Sequence, residues 1–171
     1  MIVTQETQNT LIELIGECFK MNRFCDRAVS VLGVKFVYNN TADLLHAHVC
    51  HYFPTLSDEI GELCLERYNI PVIYPATPAG MQDYLSAEDV IHDIEEKVID
   101  FQAKFMGACK VAFDNNDIHV YADLLDLLED LNKVVEQVIL LADKIDKYDG
   151  SMSYDSHVGQ HFWILGDNED D

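Results

Sequence analysis

The chain has 171 residues, of which 49% are hydrophobic, and 31 acidic side chains stand against 11 Lys plus Arg, for a formal net charge of −20. This length and apolar content suit one folded unit with a sizeable core and exclude a disordered chain. The charge sets the surface against phosphate backbones and anionic lipid, so neither nucleic acid nor membrane is an expected partner, whereas cations are attracted.

The opening stretch MIVTQETQNT lacks a basic region followed by an apolar run. No signal peptide is expected from it. Residues 4–38 carry one apolar stripe, Leu11, Ile15, Cys18, Cys25, Val29, Leu32 and Phe36, at helical spacing, with Gly33 loosening its end. Asn39, Asn40 and Thr41 read as a tight turn with a capping residue. A second helix is expected over residues 42–68, with Leu45, Val49, Leu56, Ile60 and Leu63 inward. Pro54 lies inside it and should kink or split it.

Residues 69–85 hold three of the four prolines, so they read as an extended connection. The third helix opens at Ser86, with Asp89 as its capping-box-like partner, and its seam is Ile91, Ile94, Val98, Phe101, Phe105, Ala108 and Ala112. After a turn at Asn115, Asn116 and Asp117, the fourth helix places Leu124, Leu128, Leu131, Val135, Val138, Ala142 and Ile145 inward. It ends at Tyr148, Asp149 and Gly150. The connections run short, long, short, which predicts an all-α, up-down-down-up four-helix bundle over residues 1–150 with a crossover between helices two and three. Residues 151–171 form a tail with an acidic end, GDNEDD. In it His157 and His161 share a helix face, and both read as part of a docked tail rather than a site. Trp163 reads as a core or interface anchor. The five cysteines are scattered with no CxxC pair, as expected of reduced thiols in a cytoplasmic protein that serve as small core residues.

The second helix carries the chemistry. His48, Tyr52, Thr55, Glu59, Glu62 and Glu66 fall in one sector of a wheel at about 100° per residue, with His51 and Asp58 at its edge and His46 pointing elsewhere. The strip lies beside the apolar stripe rather than opposite it. His48 and Glu66 are about 27 Å apart along one helix, so a single ion cannot join them within one chain. Two copies paired antiparallel about residue 57 bring His48 to Glu66 of the partner subunit and His51 to Glu62 of the partner subunit. Each of the two resulting sites has mixed nitrogen and oxygen ligands, which suit Fe(II), Mn(II) or Zn(II). Closed two-fold dimers are the commonest homo-oligomers.

The helix pattern resembles the ferritin-like superfamily, and the second helix looks most like that of the Dps-type miniferritins. In that family a His followed by an Asp precedes the pattern acid-x-x-x-Glu-Arg. Glu62-Leu-Cys-Leu-Glu66-Arg67 matches the latter, His51 stands where the Asp would fall, and Ala47, between His46 and His48, stands where the His would fall. The resemblance implies Fe(II) bound between two-fold-related subunits and then oxidised by O₂ or peroxide, in a homo-oligomer that closes into a shell. On this reading the metal residues are His48, His51, Asp58, Glu62 and Glu66, and the chain is an iron-storage protein with possible ferroxidase activity. The family's further His on the first helix has no counterpart, and neither do the inward Glu-x-x-His pairs of full-size ferritins. Glu13, Glu17, Glu95, Glu129 and Glu136 read as surface acids.

Two other readings compete. Asp58-Glu59-Ile60-Gly61-Glu62-Leu63 also resembles the acidic helix of MazG-type nucleotide pyrophosphohydrolases, which hold Mg²⁺ against a triphosphate and need a second acidic pair. Asp93-Ile-Glu-Glu96, with His92 before it on the surface, is the nearest candidate for that pair. The third reading is a helical scaffold without chemistry. His119, near a helix start, reads as a local residue.

Overall fold

The computed structural model describes residues 2–166, so the acidic end beyond Gly166 lies outside the described residues. The first stripe folds as α1, Gln5–Lys35, which buries Leu11, Ile15, Cys18, Cys25, Val29 and Leu32. Tyr38 N–H closes the helix by donating to the Leu32 carbonyl at 3.2 Å, with Val37 left-handed at φ 61°. Glycine is the usual residue at such a closure, because a β-branched side chain crowds the backbone there. Gly33 serves a close approach: a Cβ there would meet that of Ala42 at 3.4 Å.

The second helix begins three residues earlier than the sequence suggests. α2, Asn39–Leu45, includes the expected turn residues. Its cap comes from far along the chain. Asp155 accepts from Thr41 N–H and Thr41 Oγ1, both at 2.7 Å, and from Asn40 N–H at 3.3 Å. A π-helical turn, His46–Cys50, leads into α3, Tyr52–Leu63, and a second one, Cys64–Tyr68, ends at Asn69 in the left-handed conformation. Pro54 therefore does not split the helix. It sits in the first turn of α3, and the wide turn before it absorbs the missing N–H. The Cys50 carbonyl that an ordinary residue at 54 would bond instead accepts from Asn22 Nδ2 at 3.1 Å.

Residues 69–86 run as an extended crossover along α1. Tyr74 packs edge-on to Phe19, Gly80 lies against the Arg23 carbonyl, Gln82 exchanges hydrogen bonds with Arg27 and Phe24, and Lys35 Nζ reaches Asp83 at 3.1 Å. A Cβ on Gly80 would fall 2.8 Å from that carbonyl, so only glycine fits. The crossover delivers α4, Ala87–Asp114, back at the C-terminal end of α1, and Ser86 Oγ caps it by accepting from Asp89 N–H at 3.1 Å. After a short turn α5, Ile118–Lys147, returns alongside. α1 packs against α3 and α4, and α5 packs against α4, which puts α3 and α4 on diagonal corners. This is the expected ferritin-like all-α bundle with one long crossover.

α6, Met152–His161, lies across α2. Tyr154 is fully buried and donates to the Leu141 carbonyl at 3.0 Å. Beyond α6 the chain is pinned by Gln137, itself fully buried, whose Oε1 accepts from Ile164 N–H at 2.6 Å and Leu165 N–H at 3.1 Å. Among the described residues every regular element is helical, and no helix is long and apolar enough to cross a membrane.

Candidate functional site

Among the described residues the bundle interior has no carboxylate facing another across it. Phe53 meets Phe101 edge-on at 5.1 Å, Phe101 meets Phe105, and Cys18, Ile60, Leu131 and Val138 complete the filling. All five cysteines are buried and free, as small core residues. Glu13, Glu129 and Glu136 are exposed, Glu95 is half-buried at the surface, and Glu17 is half-buried in ion pairs with Lys20 and Lys104. Burial pulls the Glu17 carboxyl up, but the two ammonium groups outweigh it and hold it below the usual range.

The donor-rich residues of the second helix divide among three surface grooves. His48 and His51 line an open groove of about 530 Å³ between α3 and α5, with Tyr52, Thr55, Glu59, Asp130 and Lys133. His51 is exposed, whereas His48 is half-buried with its ring 5.4 Å from that of Trp163. Glu62 and Glu66 line the next groove along the same side, which they share with Glu59, Arg67, Asp123 and Asp126. Asp58 lines a third groove, walled by Ile70, Pro71, Val72 and Tyr74 of the crossover, which Glu62 lines as well. The strip from His51 through Glu59 to Glu66 is thus continuous along the second helix, and Asp58 adjoins it at Glu62.

His46 does not point away as the wheel suggests. Its ring lies 4.3 Å from that of His51. In the π-turn His51 N–H donates to the His46 carbonyl, so residues five apart align, where an ordinary helix aligns those three or four apart. Pro54 was the available signal for this turn.

Glu59 is the electrostatically strained member of the strip. Burial, followed by the charges of Asp130 and Glu62, holds its carboxyl above the usual range. The Tyr52 hydroxyl beside it is buried without a hydrogen-bond partner among the described residues, and burial with the Glu59 charge pushes it well above the ordinary phenol range. Arg67 pairs with Asp123 of α5 at 2.8 Å, and Tyr68 donates to the same carboxylate. Sequence reasoning did not reach Asp123 and Asp130, because the pairing of α3 with α5 across the grooves is tertiary. No cluster of three or more potential metal ligands is assembled within one chain among the described residues.

The two acidic pairs of the pyrophosphohydrolase reading do not meet. Asp58 and Glu62 are on α3, Asp93 and Glu96 are on the diagonally placed α4, and Asp93 is engaged by the Tyr84 hydroxyl at 2.7 Å. His92 is bound on both sides. Nε2 lies 2.7 Å from Asp146 and Nδ1 lies 3.3 Å from Glu95, and Asp146 chiefly raises its pKa. The His119 ring lies 5.8 Å from that of Tyr68.

The fold is that of the ferritins. The chain superposes on apo-ferritin from Pseudo-nitzschia multiseries with a TM-score of 0.80, covering 91% of this chain and 97% of that one at 15% identity. Two structures of one PmFTN variant, soaked in iron for 5 min and overnight, give a TM-score of 0.81 at 16% identity, over 90% and 89% of this chain and 99% of each of theirs. No protein-family model and no curated protein matches. At such identities the fold is shared, and the chemistry has to be argued from this chain's own residues.

Proposed function

We propose that this chain is an iron-handling protein of the ferritin-like kind, which captures Fe(II) as substrate on the outer strip of its second helix, at a site that a second copy completes. One observation carries the reading: the bundle interior is filled with aromatic and aliphatic side chains, while His51, Glu59, Glu62 and Glu66 stand exposed along one side of the second helix. An ion bound there has to draw ligands from outside the chain. Antiparallel pairing about residue 57 joins His51 to Glu62 of the partner subunit, and His48 to Glu66 of the partner subunit once His48 leaves Trp163. The His51 and Glu62 pair is the more open of the two. This arrangement is the Dps-like one.

Imidazole suits Fe(II), and carboxylates compensate the added positive charge when each Fe(II) gives one electron to O₂ or peroxide. The net charge of −20 raises the local cation concentration. Asp58, which lines a groove together with Glu62, is a further carboxylate at the edge of this arrangement. The iron-soaked ferritins of like fold support iron as the substrate.

The test is aerobic addition of Fe(II) to the purified protein, with Fe(III) absorbance and light scattering followed together. Wild type forms a discrete homo-oligomer and oxidises iron faster than buffer. His51→Gln and Glu62→Gln each lower bound Fe(II) about tenfold or more, since each removes a ligand from both symmetric sites. A monomer at all concentrations, or uptake indifferent to both substitutions, overturns the proposal.

A further inference from the structure

We propose that His157 and His161, one turn apart on α6, chelate a Zn(II)-class divalent cation at a site separate from the α3 strip. Their ring centroids are 5.1 Å apart. A Zn–N bond of about 2.0–2.1 Å places a ring centroid about 3.2 Å from the ion, so two imidazoles at the tetrahedral angle have centroids about 5.2 Å apart. Residues four apart on a helix share a face.

The second observation is independent of the spacing. His157 Nδ1 is buried and has no hydrogen-bond partner among the described residues. A buried ring nitrogen normally has a donor or an acceptor, and a coordinated cation fills that role directly. His161, beside it, is exposed and leaves the ion a route in from solvent. His161 is also the last residue of α6, where the helix dipole favours positive charge. The platform is rigid: Asp155 ties α6 to α2, Tyr154 ties it to α5, and the Tyr148 ring backs His157 at 6.0 Å. Two ligands leave two tetrahedral positions for water or for an anionic group of the cation's carrier.

The other imidazole pair, His46 and His51 at 4.3 Å, fits an angle nearer 85° and belongs to the strip already described. The experiment therefore has to separate the two pairs. The full chain is titrated with Zn(II) alone by equilibrium dialysis, and with Co(II) as a visible-band reporter of tetrahedral nitrogen ligation. Wild type binds one Zn(II) ahead of all others. His161→Gln, an exposed substitution checked for unchanged helical circular dichroism, weakens that binding by no less than the about 10–100-fold typical of losing even an outer partner of a metal ligand, and removes the Co(II) bands. His157→Gln does the same, and His51→Gln leaves this site intact. Unchanged tight binding in His161→Gln, or its loss in His51→Gln alone, overturns the proposal. His161→Gln decides the question even if His157→Gln fails to fold. Iron uptake is not a readout here, so failure of this site leaves the α3 proposal standing.

Discussion

Glu59 is the residue where the cost of an acidic surface is concentrated. Its carboxyl is held above the usual range by burial and then by Asp130 and Glu62, so the folded chain resists its ionisation. For a carboxyl with a raised folded pKa, the penalty is present above that pKa and vanishes below the unfolded value of about 4.3. Glu59→Gln removes it. The metal-free protein is expected to gain less than about 1 kcal/mol at pH 7, because the group is exposed enough for solvent to screen it, and nothing near pH 4. Urea unfolding at the two pH values measures the difference. A loss of stability at pH 7 would mean that Glu59 makes a favourable contact that outweighs the repulsion. A divalent cation in the groove would relieve the same repulsion, so the gain should shrink when one is bound. His92 shows the reverse sign. The Asp146 carboxylate chiefly raises its pKa, so this contact stabilises the fold at low pH and is lost as pH rises through the raised value.

At the scale of elements, the contact between α6 and α2 is the one to break. Asp155 is buried, accepts from Thr41 N–H, Thr41 Oγ1 and Asn40 N–H, and serves as the cap that α2 lacks within its own sequence. Asp155→Ala removes an N-cap and strands buried donors, a cost of about 2–3 kcal/mol. Asp155→Asn, which keeps one acceptor oxygen, should cost less. Trp163 is the chain's only tryptophan, and it rests on His48. Its fluorescence should therefore report tail release at lower urea than the loss of helical circular dichroism in Asp155→Ala, and coincident transitions would show that the tail and bundle unfold as one. The same contact marks the limit of sequence reading. The helix seams were legible because each is a regular period of three and four, from Leu11 to Leu32 and from Ile91 to Ala112. So was the Ser86 cap, three residues from its donor. The Asp155 cap was not, because donor and acceptor are 114 residues apart. The pairing of His46 with His51 was not either, because a wheel drawn at a constant angle misplaces residues on either side of a π-turn. Tyr52, Thr55, Glu59 and Glu62 keep the wheel's register because α3 between the two wide turns is regular, whereas His48 and Glu66 lie in those turns.

At the scale of the whole molecule, 31 acids against 11 Lys and Arg make self-repulsion the opponent of any assembly. Several of the basic residues are already engaged locally, Lys20 and Lys104 with Glu17, Arg67 with Asp123 and Lys35 with Asp83, which leaves much of the acid uncompensated. Identical subunits repel over a Debye length of about 30 Å at 0.01 M salt and about 8 Å at 0.15 M. The homo-oligomer proposed above should therefore be salt-dependent. Light scattering at fixed protein concentration should show smaller species at 0.01 M NaCl and the full assembly at 0.15 M. Divalent cations should act more strongly than NaCl at equal ionic strength, since ions bound between carboxylates on two chains both screen and bridge. His51→Gln should abolish that excess effect of divalent ions and leave the NaCl dependence intact. If NaCl and divalent ions act alike at matched ionic strength, the α3 strip does not bind ions between chains, and assembly is governed by net charge alone.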